Sequence, residues 1–115
     1  MHYKVSVIVP IYNVRDYLAR CVENLMNQTL REVEYIFVED CATDDSYQIL
    51  MDTLARFPHR RGDVRIIRHE VNKGLTMSRA DGLDVAAGDF IIHSDSDDWT
   101  DVTMFEKMYD KAVSD

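Results

Sequence analysis

Apolar and polar positions fall in blocks along this chain. Four short runs rich in β-branched residues stand out: Val5 to Pro10, Val33 to Val38, Val64 to Arg68 and Asp89 to His93. Each is bounded by polar or turn-forming residues, the form expected of strands buried on both faces. Between and after them, apolar residues recur at helical spacing. Val14, Tyr17, Leu18, Cys21, Val22, Leu25 and Met26 share one face of a first helix, with Asn13 and Asp16 as its expected start signal. Tyr47, Leu50, Met51, Leu54 and Phe57 line a second helix that stops before Pro58. A third runs from about Leu75 to Ala87, with Ala80, Leu83 and Ala87 inward and Gly88 as its expected C-terminal cap. A fourth opens near Thr100 or Asp101 and places Val102, Phe105, Met108, Tyr109 and Ala112 on one side. The segment His59 to Asp63 reads as a loop, and its Arg-Gly-Asp triplet as a chance match to an adhesion motif.

Strand and helix alternate four times. This predicts an α/β chain with an open, mainly parallel sheet and helices on both faces, Rossmann-like in build. The 115 residues are enough for one domain with its own core. A formal net charge of -8 disfavours phosphate backbones and anionic lipid as bulk partners, so no nucleic-acid partner is expected. No apolar stretch approaches the roughly 20 residues needed to span a bilayer, and no secretion-signal layout is seen. The expectation is a soluble, cytoplasmic chain without a transmembrane segment. Cys21 and Cys41 are too few to staple such a domain, which fits a reducing compartment.

Ligands of open parallel sheets bind beyond the carboxyl ends of the strands. Those ends carry Pro10-Ile11-Tyr12-Asn13, Glu39 to Asp45, His69 to Gly74, and Ser94 to Trp99. Asp40, Asp95, Asp97 and Asp98 would repel one another around one crevice, by roughly 4 kcal/mol for a pair about 4 Å apart, unless a cation sits there. Oxygen ligands select Mg²⁺, Mn²⁺ or Ca²⁺ over zinc. A turn and a helix cap would also account for Asp95, Asp97 and Asp98. Asp40, at the end of the second strand, suits a sugar hydroxyl or a base N–H, while Glu39 points the opposite way. Tyr12 offers a stacking face and Asn13 a bidentate amide, or else packing and a cap. Lys73 and Arg79 would offset phosphate charge, or else serve as solvated salt-bridge partners on an acidic protein. Cys21 reads as a core residue, Cys41 has no neighbouring His in sequence to activate it, and the four histidines lack zinc-site spacing.

Taken in order, Val5 to Asn13, Tyr17-Leu18, Asn27-Gln28-Thr29, Glu39-Asp40 with Thr43-Asp44, Asn72-Lys73-Gly74, Ala87 to Ile91 and Asp95 to Trp99 resemble the family 2 glycosyltransferases of the GT-A fold. The resemblance covers essentially the whole chain. It implies a nucleotide-sugar-binding half of a GT-A domain over residues 1–115, with the acceptor half missing. By similarity, Pro10, Ile11, Tyr12, Asn13 and Asp40 would hold base and ribose, and Asp95 the ribose or sugar. Asp97 and the adjacent Asp98 would ligate Mn²⁺ or Mg²⁺ on the diphosphate, with Lys73 and Arg79 near phosphates or sugar. The implied reaction is metal-dependent transfer, with inversion, from a UDP-sugar to a hydroxyl of a saccharide or lipid-linked acceptor. Its general base is expected beyond Asp115, which would leave these residues inactive alone. The full-length protein would be cytoplasmic, or peripheral to the inner face of the membrane. Cys41 and Asp81 depart from the family pattern, at positions where it often has Gly, Asn or Ser and where Asn is frequent.

Other classes fit less well. A receiver domain needs acids at the end of its first strand, where Pro10-Ile11-Tyr12 stand, and a nicotinamide-dependent enzyme needs an early glycine-rich turn, whereas the first Gly is Gly62. A non-catalytic nucleotide-binding module would keep the fold without the activity.

Overall fold

The computed structural model describes residues 2–95 and 101–114. Strands β1 (Val5–Ile11), β2 (Val33–Glu39), β3 (Val64–Arg68) and β4 (Phe90–His93) alternate with helices α1 (Arg15–Met26), α2 (Ser46–Leu54), α3 (Leu75–Val85) and α4 (Met104–Ser114). The strands form one parallel sheet in the order β3-β2-β1-β4. The α/β architecture expected from the alternating blocks is present.

Side-chain alternation on β1 and β2 separates the two faces. Val5, Val7, Val9 and Ile11 of β1, with Val33, Tyr35 and Phe37 of β2, pack against Leu18, Val22 and Leu25 of α1, Leu50 and Leu54 of α2, and Phe105 of α4. Ile8, Ile36 and Val38 point to the other face, against Ile67 and Ala86. That second face belongs to α3, and here the expected inward stripe is corrected. Ala80 and Leu83 are exposed, whereas Ser78 and Gly82 are buried. The reason is steric: a Cβ at Gly82 would lie 2.6 Å from Cγ2 of Ile8, so the helix lies on the sheet through its smallest residues.

Burial on both faces holds for β1 and β2 only. β3 and β4 are the sheet's edges and are partly exposed, with Phe90 and Ile91 open to solvent. Gly88 does not cap α3, which ends at Val85 with Ala86 extended. It lies instead against the β1 backbone, where a Cβ would sit 2.7 Å from the Ser6 nitrogen. Asn13 does not cap α1; Val14 occupies that position, and its N–H donates to Ser46 Oγ. Residues 58–63 form a 3-10 helix (Pro58–Asp63) rather than an open loop. Arg60 within it is buried and donates to the carbonyls of Met26, Gln28, Leu30 and Arg31, which tie off the end of α1. Among the described residues, no helix is long and apolar enough to cross a membrane.

Candidate functional site

The parallel sheet brings its four carboxyl ends to one side, and there the backbone takes unusual turns. Asn13 follows β1 at φ 50, Cys41 follows β2 at φ 57, and Gly74 precedes α3 at φ 91. Asn tolerates this left-handed region and Gly is unrestricted in it, but Cys carries a steric penalty. That conformation gives a physical reason for Gly or Asn at the position of Cys41.

Each turn is fixed by side chains. Asn13 Oδ1 accepts from the N–H groups of Thr43 and Asp44, and its amide nitrogen donates to Thr43 Oγ1, joining the β1 turn to the β2 turn. Asp40 takes the other side. Its Oδ1 accepts from Lys73 N at 2.8 Å and lies 2.7 Å from His69 Nδ1, and its Oδ2 accepts from Gly74 N at 2.9 Å. Asn72 Nδ2 donates to the Asp40 carbonyl. Burial pushes the Asp40 carboxyl up, but the hydrogen bonds from Lys73, His69 and Gly74 outweigh it and hold the group below its ordinary value. Glu39 does point the opposite way: it is buried, accepts from Ala42 N, and pairs with Arg68.

Between the β1, β2 and β4 ends and the start of α3 lies an open cleft of about 520 Å³ lined by Pro10, Tyr12, Asp40, Asn72, Ser78 and Asp95, among others. Tyr12 is 45 % exposed, which leaves its ring available for stacking. Ser78 is buried, and among the described residues its hydroxyl lacks a hydrogen-bond partner, a costly arrangement inside a protein.

Of the residues singled out from the sequence, Pro10, Tyr12, Asp40 and Asp95 meet in this cleft. Ile11 does not: its side chain is in the core, and only its carbonyl reaches the turn, accepting from Asp40 N. Asn13 is spent on the neighbouring turn. Lys73 Nζ lies 3.9 Å from Asp81, and Arg79 is 3.3 Å from Asp95. Both stand at the rim and not on the lining. Asp97 and Asp98 lie outside the described residues. Among the described residues, no group of three or more His, Cys, Asp or Glu side chains is arranged to hold a metal.

Sequence reasoning assigns no role in the cleft to His69, Ser78 or Leu75. His69 stands among the strand-end residues, directly after the apolar run ending in Arg68, but its spacing points to no zinc site and nothing nearby in sequence points to Asp81. Ser78 gives no signal, since a serine within a helix is ordinary.

Comparison with known proteins identifies the family. The model for the family described as Glycosyl transferase family 2 matches residues 6–115. The chain is 36% identical over 110 residues to Glycosyltransferase GlyA of Streptococcus pneumoniae, covering 96% of this chain and 15% of that protein. Among solved structures, it superposes on S. aureus TarS 1-349 in complex with UDP with a TM-score of 0.84 at 28% identity, over 96% of this chain and 32% of that one. The same protein in complex with UDP-GlcNAc gives a TM-score of 0.79 at 31% identity, again over 96% of this chain and 30% of that one. The chain thus spans about a third or less of the proteins it matches.

Proposed function

The chain belongs to glycosyl transferase family 2, and from that membership we propose that its cleft binds a nucleoside diphosphate sugar, in the first instance a UDP-sugar, as the donor-binding part of a glycosyltransferase. The observation that carries the reading is the convergence of Pro10, Tyr12, Asp40 and Asp95 on one cleft at the strand ends. Tyr12 supplies a face for the base. A carboxylate has roughly four acceptor positions, and Asp40 fills three of them with His69, Lys73 and Gly74. The one left, on Oδ2, suits the single N–H of a uracil-type edge. Ser78's unpaired hydroxyl is a further group that a polar ligand would satisfy. The binding of UDP and UDP-GlcNAc by the structurally similar TarS supports the choice of donor.

Asp97 and Asp98 are proposed as ligands for Mn²⁺ or Mg²⁺. The donor set fits a hard cation: both offer only oxygen, and they stand two and three residues after Asp95, which borders the cleft. When bound, the metal offsets the charge that develops on a departing diphosphate. Lys73 and Arg79, at the rim, add positive charge near the same place, and Asp95 faces the ribose or sugar. The reaction proposed for the whole protein is transfer with inversion to a hydroxyl of a saccharide or lipid-linked acceptor. An inverting transfer needs a general base opposite the leaving group, which we assign to none of residues 1–115.

The test is calorimetric titration with UDP, with and without Mn²⁺, on the chain and on Asp97→Ala. Saturable binding strengthened by Mn²⁺ and weakened in Asp97→Ala is expected. No binding of UDP would overturn the donor reading, and Mn²⁺-independent binding would overturn the metal assignment.

A further inference from the structure

Directly beneath the cleft, His69 is held between two carboxylates. Its Nδ1 lies 2.7 Å from Asp40 Oδ1 and its Nε2 lies 2.7 Å from Asp81 Oδ2, with the imidazole only 3% exposed. A neutral imidazole has one N–H and one lone pair. In that state one ring nitrogen would turn its lone pair on a carboxylate oxygen at 2.7 Å, a repulsive contact. Only the imidazolium donates to both.

The alternative is a proton on one of the acids, and neither environment favours it. Asp40 receives two backbone N–H groups besides the ring. Asp81 is 26% exposed and has the Lys73 ammonium 3.9 Å away. The other charged groups near the ring are already engaged or turned outward: Glu39 pairs with Arg68, and Glu70 is exposed. The three linked residues come from separate parts of the chain: Asp40 follows β2, His69 follows β3 and Asp81 lies in α3. The backbone reinforces the link, since His69 N donates to the Glu39 carbonyl.

We propose that His69 is a charged positioning residue of the donor cleft, which ties Asp40 to Asp81 through two protonated ring nitrogens and so holds the middle of α3 against the end of β2. The inference rests on the donor reading given above, since it names what keeps the Asp40 acceptor and the cleft wall in place for the ligand. Loss of one ring proton removes one of the two contacts. α3 is then held to the strand end less firmly, and donor affinity falls as the ring is neutralised.

Two readouts test this on the 115-residue chain. Nitrogen-15 NMR of the histidine rings, with His69 identified by the signal lost in His69→Gln, reports the ring without nucleotide. UDP affinity is then followed over the same pH series, from about pH 5 to about pH 9, which includes the range in which histidines titrate. Two near-equivalent protonated ring nitrogens at neutral pH are expected, with UDP affinity falling by about tenfold as that signature is lost, one hydrogen bond to a charged group being worth about that much. Asp81→Asn should lower UDP affinity at neutral pH and flatten its dependence on pH while the chain stays folded. His69→Lys, which keeps a charge but spans only one carboxylate, should rescue less than half of the loss seen in His69→Gln. A neutral His69 ring at pH 7, or UDP affinity that ignores the state of the ring, overturns the inference. Failure to bind UDP at any pH is instead the failure of the donor reading, and the ring signals tell the two apart.

Discussion

The two ends of the sheet are built from similar residues to opposite effect. At the amino end, Glu34 is buried between the strands and accepts from Ser6 Oγ and Ala87 N, Gly88 N donates back to Ser6 Oγ, and Arg65 lies 3.6 Å from the second Glu34 oxygen. Arg60 closes four carbonyls nearby. Polar groups there are turned towards the protein itself, although among the described residues Glu34 Oε1 has only the Arg65 ion pair and no hydrogen bond. At the carboxyl end, Asp40 is also buried and hydrogen-bonded, but the turns beside it are left-handed at Asn13 and Cys41, Tyr12 is turned out, and the Ser78 hydroxyl is unpaired. A buried carboxylate is a structural tie at one end and the floor of a cleft at the other. What separates them is the open cleft that Asp40 borders.

The contrast predicts that stability and ligand affinity can be broken separately. The largest effect is expected from Arg60→Met, which leaves buried carbonyls without donors and should cost about 3 kcal/mol in urea unfolding, with UDP affinity unchanged. Asp40→Asn should harm both properties, costing about 2 kcal/mol because Lys73 and Gly74 lose a charged acceptor. Asp40 also fixes the acid limb of stability. Its folded-state carboxyl is held below the ordinary value, so its contribution is complete above about pH 3.9 and is lost as pH falls through the folded value. Circular dichroism on acidification should therefore show a shallower loss in Asp40→Asn than in the parent. Tyr12→Ala should do the reverse of Arg60→Met, lowering UDP affinity by about tenfold through lost stacking while unfolding is unaffected. The smallest effect is expected at Cys41→Gly, which relieves the left-handed backbone and should stabilise the fold by about 1 kcal/mol without weakening nucleotide binding.

Much of this arrangement was legible in the sequence because it follows from periodicity. β-branched runs mark all four strands, and their parallel pairing gathers the strand ends, with Pro10, Tyr12, Asp40 and Asp95, into one place. The failures share a cause as well. Hydrophobicity puts Ala80 and Leu83 on the inward face of α3, yet close approach to Ile8 selects Gly82, with Ser78 buried beside it, and size outweighs apolarity there. The segment around Arg60 reads as a loop because a charged, glycine-containing stretch gives no sign that its arginine is drawn in by carbonyls at and beyond the end of α1. Ile11 was grouped with its neighbours in the turn, but the two-residue alternation of β1 sends it to the core. His69 depends on Asp81, one strand end and one helix away, and no local pattern encodes that meeting.

The most direct measurement of the central claim is backbone amide NMR of the chain titrated with UDP. Saturable shifts confined to Tyr12, the Asp40 turn, residues 72–78 and Asp95, with Ser6, Arg60 and Gly88 unmoved, are the predicted result. Saturable shifts centred on the amino end of the sheet, or none anywhere, would contradict it.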